Sequence, residues 1–257
     1  MLETAGVRHW ALERVPPGAW RNISNGLSIR SNIHAHSEGL RELCFARGWW
    51  DGTVDLDWKL CLCAGGSPNV SLAVSGRERA GSAHLSRLAW DSANGGLPAL
   101  DHQAWVRAMT GVLRDERSGI CLRDPVASFC STGSQISWLP PHGTDATTGG
   151  AHHFFSGASD PVRTAYKRFS FGPSASRDET DHGTRDLWAA WRELALKQLV
   201  PSDKLAATVA GIEEAALASM GQQERGSSGV SFASAVALEL KAVRANTPAT
   251  AKPRDGG

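Results

Sequence analysis

Over residues 2 to 30 the apolar positions read as strands. Trp10 and Leu12 precede a turn at Pro16-Pro17-Gly18, and after Ile23 the pair Leu27 and Ile29 alternates with polar neighbours. The period then changes. Leu40, Leu43 and Cys44 fall at helical spacing over residues 37 to 47, with Ser37 as the expected N-cap and Gly48 as the stop. Residues 53 to 76 fit neither period cleanly. Leu56, Trp58, Leu60 and Leu62 alternate, and Gly65-Gly66-Ser67-Pro68 breaks the run. Helices are expected over 77 to 90 and 101 to 113, separated by a small-residue loop at 92 to 98. The second has an apolar stripe of Trp105, Met109, Val112 and Leu113 and a candidate cap at Asp101.

Strand texture returns over 119 to 172, with candidates near 126–139, 151–157 and 164–171. A polar hairpin-type loop, 140 to 150, joins the first two. From Leu187 the pattern is helical again, through Trp188, Trp191, Leu194, Ala195 and Gln198. Pro201-Ser202-Asp203 starts another helix over 203 to 222, and a last helix near 231 to 245 follows a Gly/Ser linker at 226 to 229. Strands, helices, strands and helices follow one another without an internal repeat. The expected class is α+β with antiparallel strands. Residues 247 to 257 have no apolar anchor and are expected to be a disordered tail.

Composition narrows the partners. The 257 residues are 41% hydrophobic and 21% charged, with a formal net charge of +1. That balance gives no field for nucleic acid or anionic lipid. No apolar run is long enough for a membrane span, and the first residues lack the pattern of a secretory signal, so none is expected. The five cysteines, Cys44, Cys61, Cys63, Cys121 and Cys130, are an odd number without C-x-x-C spacing. They read as reduced thiols of a cytoplasmic protein. Cys61-Leu62-Cys63 would put both sulfurs on one face of a strand, but no second ligand pair completes a zinc site.

Candidate chemistry is sparse. His34-Ala35-His36 has the spacing of a strand-borne metal pair, with no third ligand in reach by motif. It reads more simply as turn histidines. His152-His153 in a strand should face one ring inward and one outward. Ser24, Ser28, Ser131 and Ser134 lack a G-x-S-x-G setting. The amide of Asn25 is placed either to donate to an oxyanion or to hold an Asx turn. Arg114-Asp115 opens a charged turn at a helix end. None of these makes a catalytic set alone, and neither a metal nor a cofactor is expected.

Six blocks, in order, carry a resemblance. They are Leu2-Glu3-Thr4-Ala5-Gly6 with Trp10; Arg21-Asn22-Ile23-Ser24-Asn25 with Leu27-Ser28-Ile29; Gly48-Trp49-Trp50; Leu113-Arg114-Asp115 with Ser118-Gly119-Ile120-Cys121; Ser131 to Leu139-Pro140; and Asp160-Pro161 through Phe169-Ser170-Phe171-Gly172. Together they resemble the secernins, relatives of the cysteine dipeptidases in the N-terminal-nucleophile hydrolase superfamily. The "RNISN" form is closest to the secernin-2 and secernin-3 branch. Gly26 stands where the family has Gln, and Gly133 and Ser134 replace apolar or small strand residues.

The resemblance implies a four-layer αββα sandwich with antiparallel sheets. It implies an N-terminal cysteine whose own amino group is the base for attack on small peptides. Secernins are associated with exocytosis, which implies a protein partner in that process. In the family the nucleophile precedes the "LETAG" block, which here begins at Leu2. Residues 1–246 are therefore expected to be the C-terminal part of the hydrolase domain, inactive as given. By the same resemblance, Asn25 is the oxyanion-hole candidate. Arg114, Asp115, Ser131 and Thr132 are candidates for lining the substrate end, the last two on a strand crossing under the site. The alternatives are a non-catalytic regulator acting through protein contacts, and a metal enzyme using His34 and His36.

Overall fold

A computed structural model describes residues 1–67, 75–93, 102–124, 129–139, 150–169, 171, 177–221 and 230–246. The chain is α+β, with antiparallel sheets and helices, and divides into two units, Met1–Trp90 and Asp91–Gly257. Among the described residues no helix is long and apolar enough to cross a membrane.

In the first unit, β1 (Leu2–Ala5) and β2 (His9–Leu12) form a hairpin, and β3 (Ala35–His36) pairs with β2. Helices α1 (Leu40–Ala46) and α2 (Trp58–Ala64) complete a core of Ala11, Ile29, Leu40, Cys44, Leu56, Trp58 and Cys61. α3 (Gly76–Ala93) begins in this unit.

Two expectations change here and one ambiguity is settled. Residues 23 to 29 form no strand. The backbone N–H groups of Ser28 and Ile29 donate instead to the Glu3 carboxylate, at 2.7 and 3.1 Å. The carbonyls of Ile29 and Arg30 accept from Lys59 and Trp58, the first N–H groups of α2. Both sides of the segment are thereby satisfied without a ladder, and the helix start gains partners for its orphan donors.

The alternating run at 56 to 62 is helical. Asp57 accepts from Leu60 N at 2.8 Å, and Gly65, at φ 56, closes the helix. A Cβ at Gly66 would stand 2.1 Å from Trp49 O, so the chain can turn there only with glycine. Cys61 faces the core and Cys63 is exposed, which separates the C-x-C sulfurs. Ser37 does not cap α1 either. Gly39 occupies that position without a side-chain bond, while buried Ser37 accepts from Trp10 N at 3.2 Å.

In the second unit, α4 (His102–Leu113) is followed by a two-stranded ribbon, β4 (Arg123–Asp124) and β5 (Phe129–Cys130). A three-stranded sheet of β6 (Gln135–Trp138), β7 (His152–Phe155) and β8 (Lys167–Phe169) follows in that order. Three helices close the unit: α5 (Arg177–Leu196), α6 (Asp203–Ala218) and α7 (Phe232–Asn246). Ser202 caps α6 as its sequence indicates.

α5 starts ten residues before Leu187, because its first turns carry no apolar period. At Gly183 the approach of α7 is close: a Cβ would meet Val236 Cγ1 at 3.2 Å. The helical core contains Leu187, Trp191, Leu194, Leu205, Ile212, Val236 and Val243. A second cluster joins α4 and α6 to the sheet through Val106, Ile136, Phe154, Tyr166 and Leu217.

The expected cap at Asp101, the loops at 94–98 and 140–149, the linker at 226–229 and the tail at 247–257 lie outside the described residues.

Candidate functional site

α4 and α6 are bridged by two arginine–glutamate pairs. Arg107 is on α4 and Arg114 directly follows its last residue; at a seven-residue interval they fall on one face about 10 Å apart. Glu213 and Glu214 meet them from α6. Arg107 makes a two-point pair with Glu214, its Nη2 donating to Oε2 at 2.7 Å.

The second pair is more enclosed. Arg114 Nη1 donates to Glu213 Oε2 at 3.2 Å, and Nη2 donates to the same carboxylate. Nη2 also reaches Thr164 O at 2.7 Å, and Nε reaches Pro161 O at 3.0 Å. The guanidinium carbon lies 5.2 Å from the centre of the Tyr166 ring.

Between the two pairs is a cleft of about 330 Å³. Val106, Phe154, Tyr166 and Leu217 give it an apolar floor, with Arg107, Thr110, Gly111, Arg114 and Glu213 around them. Tyr166 is fixed at both ends. Its N–H donates to Glu213 Oε1 at 2.8 Å and its hydroxyl to Ser134 Oγ at 2.6 Å. Burial pushes its phenol up to about 12. A phenol this reluctant to ionise, beside a guanidinium already committed, provides recognition rather than a base near neutral pH.

The residues singled out by sequence separate. Asn25 lies in the first unit, exposed in a bend, and no strand leads to it. Arg114 is at the cleft. Asp115 is not beside it in role: its Oδ1 accepts from Ser118 N at 3.0 Å and holds the following turn. Ser131 and Thr132 fall just after β5 in coil, not on a strand. Ser131 Oγ accepts from Leu122 N at 3.0 Å, and Thr132 O accepts from Trp188 Nε1 at 3.1 Å. Both extend local pairing of the ribbon and tie it to α5. His34 directly precedes the short β3 and His36 is its last residue. Among the described residues no three His, Cys, Asp or Glu side chains come together as a metal site.

Beside Ser131 stands Asp160, which opens the sixth block but has no role assigned from the sequence. It is buried at a left-handed φ of 59, a conformation Asp tolerates better than most residues. Its Oδ2 accepts from Arg163 Nε at 2.7 Å, while Oδ1 has no hydrogen-bond partner among the described residues. Burial raises the pKa of both neighbouring thiols, Cys121 and Cys130, and the Asp160 charge raises it further. Burial also raises Cys44, and pushes Cys61 up to about 12. A nucleophilic cysteine needs the opposite shift. These four thiols are held protonated.

His152 and His153 divide as their strand spacing requires, one buried and one half-exposed. The His152 ring lies 5.5 Å from Trp138, and its Nδ1 has no hydrogen-bond partner among the described residues. Burial, followed by the Arg168 charge, lowers its pKa from 6.5 to about 4. The fold therefore favours the neutral ring. Its contribution is complete above pH 6.5 and is lost as pH falls toward 4. Half-exposed neighbours screen part of this. Between pH 7 and pH 4 the protein is expected to lose about 2 kcal/mol more stability than a His152→Phe variant. Equal pH slopes in denaturant unfolding of the two would exclude the effect.

Two arginines at a seven-residue interval and two adjacent glutamates were visible signals for the α4–α6 bridge. Pairing them required knowing that these helices are neighbours. No family model matches this chain, and no solved structure matches it.

Proposed function

We propose that the chain is secernin-like and belongs with the cysteine-type dipeptidases of the N-terminal-nucleophile hydrolase superfamily. In this reading the antiparallel strands of the chain belong to an αββα sandwich. None of Cys44, Cys61, Cys63, Cys121 and Cys130 matches the family's nucleophile position, so in this reading these 257 residues alone do not hydrolyse amides. Asn25 remains the candidate oxyanion donor and Arg114 a candidate substrate-lining residue, each in its own unit.

The observation that carries the reading is the six sequence blocks in family order. Their packing is compatible with it. Glu3 of the first block accepts from Ser28 and Ile29 of the second. Arg114 of the fourth donates to Pro161 and Thr164 of the sixth. Asp160 N of the sixth donates to Ser131 O of the fifth. Interactions between blocks give a physical reason for them to occur together.

A second reading is a non-catalytic regulator of exocytosis acting through protein contacts. One experiment separates the two. The chain is assayed for dipeptide hydrolysis alone, and again joined to the cysteine-bearing N-terminal segment of a secernin. Background activity alone, with hydrolysis in the joined form that disappears on replacing the supplied cysteine, is the expected result. A folded but inactive joined protein favours the regulator. Hydrolysis by the chain alone that survives replacement of all five cysteines rejects both.

A further inference from the structure

We propose that the cleft between α4 and α6 is a binding site for a small monocarboxylate carrying one aromatic ring. The ring lies on the apolar floor and the carboxylate is held by Arg107. The inference stands apart from the family reading, because it depends on this cleft and not on amide hydrolysis.

Size comes first. An apolar cavity of about 150 Å³ is enough for a benzene ring. The cleft, at about 330 Å³, has room for a ring and a short chain, and stands at the small end of ligand sites. Phe154, Tyr166 and Leu217 offer the ring two aromatic neighbours and one branched aliphatic neighbour.

The opening is made by Gly111. A glycine within a helix is unfavourable. A Cβ at this position would meet nothing within 4 Å, so the α4 backbone has no packing need for glycine. What its missing side chain leaves open is the wall of the cleft.

Charge chooses the head group. Arg114 has its donors engaged by Glu213, Pro161 and Thr164, so it is a fixed wall. Arg107 also lines the cleft, whereas its partner Glu214 is not among the lining residues. Their pair is 47% and 61% exposed, so water screens it and a ligand carboxylate can compete for the guanidinium. Arginine matches a carboxylate in two-point geometry.

The test uses the full 257-residue chain with methyl-labelled Val and Leu and the probe 3-phenylpropionate, titrated by NMR. Saturable shifts at the Val106 and Leu217 methyls are expected. Gly111→Leu, which fills the cleft and improves the helix, should weaken binding by at least about tenfold without loss of fold. Arg107→Gln should weaken 3-phenylpropionate by about tenfold and leave the neutral analogue 3-phenylpropanol unchanged. No saturable shift at about 10 mM probe overturns the proposal. So does unaltered binding to Gly111→Leu, or equal binding of acid and alcohol by the unsubstituted protein. Because the readout is binding, failure of the hydrolase reading leaves the result unaffected.

Discussion

Replacing Lys167 with Met is expected to destabilise the second unit by about 3–5 kcal/mol. Lys167 and Glu239 are both fully buried, and Nζ lies 2.6 Å from Glu239 Oε2. The amine also donates hydrogen bonds to Ser156 O at 2.6 Å and Ala165 O at 2.8 Å, so the ammonium has two carbonyl acceptors beside its ion pair. Burial pulls its pKa down while Glu239 opposes that pull. On the other side, Glu239 Oε1 accepts from Thr164 Oγ1 and Trp191 Nε1, each at 2.6 Å, and from Ala165 N at 3.2 Å. Removing the lysine leaves a carboxylate without its counterion inside the core and two carbonyls without a donor.

The double variant Lys167→Met with Glu239→Gln should cost less than half as much. Its amide oxygen keeps the Thr164 and Trp191 bonds, and its NH2 can turn toward the vacated carbonyls. Denaturant unfolding, with hydrogen exchange read at the α7 amides, measures both. A single variant within about 1 kcal/mol of the parent would show that the pair is not what fixes α7 to β8.

That pair marks the limit of what the residue pattern reveals. Lys167-Arg168 in a strand reads as an exposed basic dipeptide. Its burial depends on Glu239 on a helix seventy-two residues later, which no local period discloses. By contrast α6 is legible from end to end, because the Ser202 cap and the stripe Leu205, Val209 and Ile212 agree on one element. The run Leu56, Trp58, Leu60, Leu62 satisfies period 2 in sequence, yet the caps at Asp57 and Gly65 decide for a helix. End signals outweigh an alternation of only four positions there.

The cleft was half legible. Arg114 stands out in its block, and its place at the end of α4 follows from the stripe. Its role does not, because Glu213 and the carbonyls of Pro161 and Thr164 reach it through tertiary packing. Ser131 and Thr132 were expected on a strand beneath a site. Strand texture there is real but stops at Cys130, where Ser131 turns its hydroxyl to Leu122 N and its carbonyl to Asp160 N. Small polar residues that can bond the backbone end a ladder as readily as they continue it.

The same competition gives the first unit its most sensitive residue. Replacing Glu3 with Gln is expected to destabilise that unit by about 3 kcal/mol, nearly as much as Glu3→Ala. The buried carboxylate accepts on both oxygens. Oε1 takes Ser28 N and Ser28 Oγ, each at 2.7 Å; Oε2 takes Ile29 N and Trp58 Nε1, each at 3.1 Å. Every group around it is a donor. An amide at this position has one oxygen, so its NH2 must face either the Ser28 pair or the Ile29 and Trp58 pair, donor against donor. Near-isosteric replacement therefore does not spare the site. Asp would be too short to span both. The Trp58 indole N–H resonance reports the loss directly, since only a variant that keeps the Oε2 acceptor can hold it shifted. If Glu3→Gln unfolds within about 0.5 kcal/mol of the parent, residues 28 and 29 are held by α2 alone, and the carboxylate is a consequence of the fold, not a cause of it.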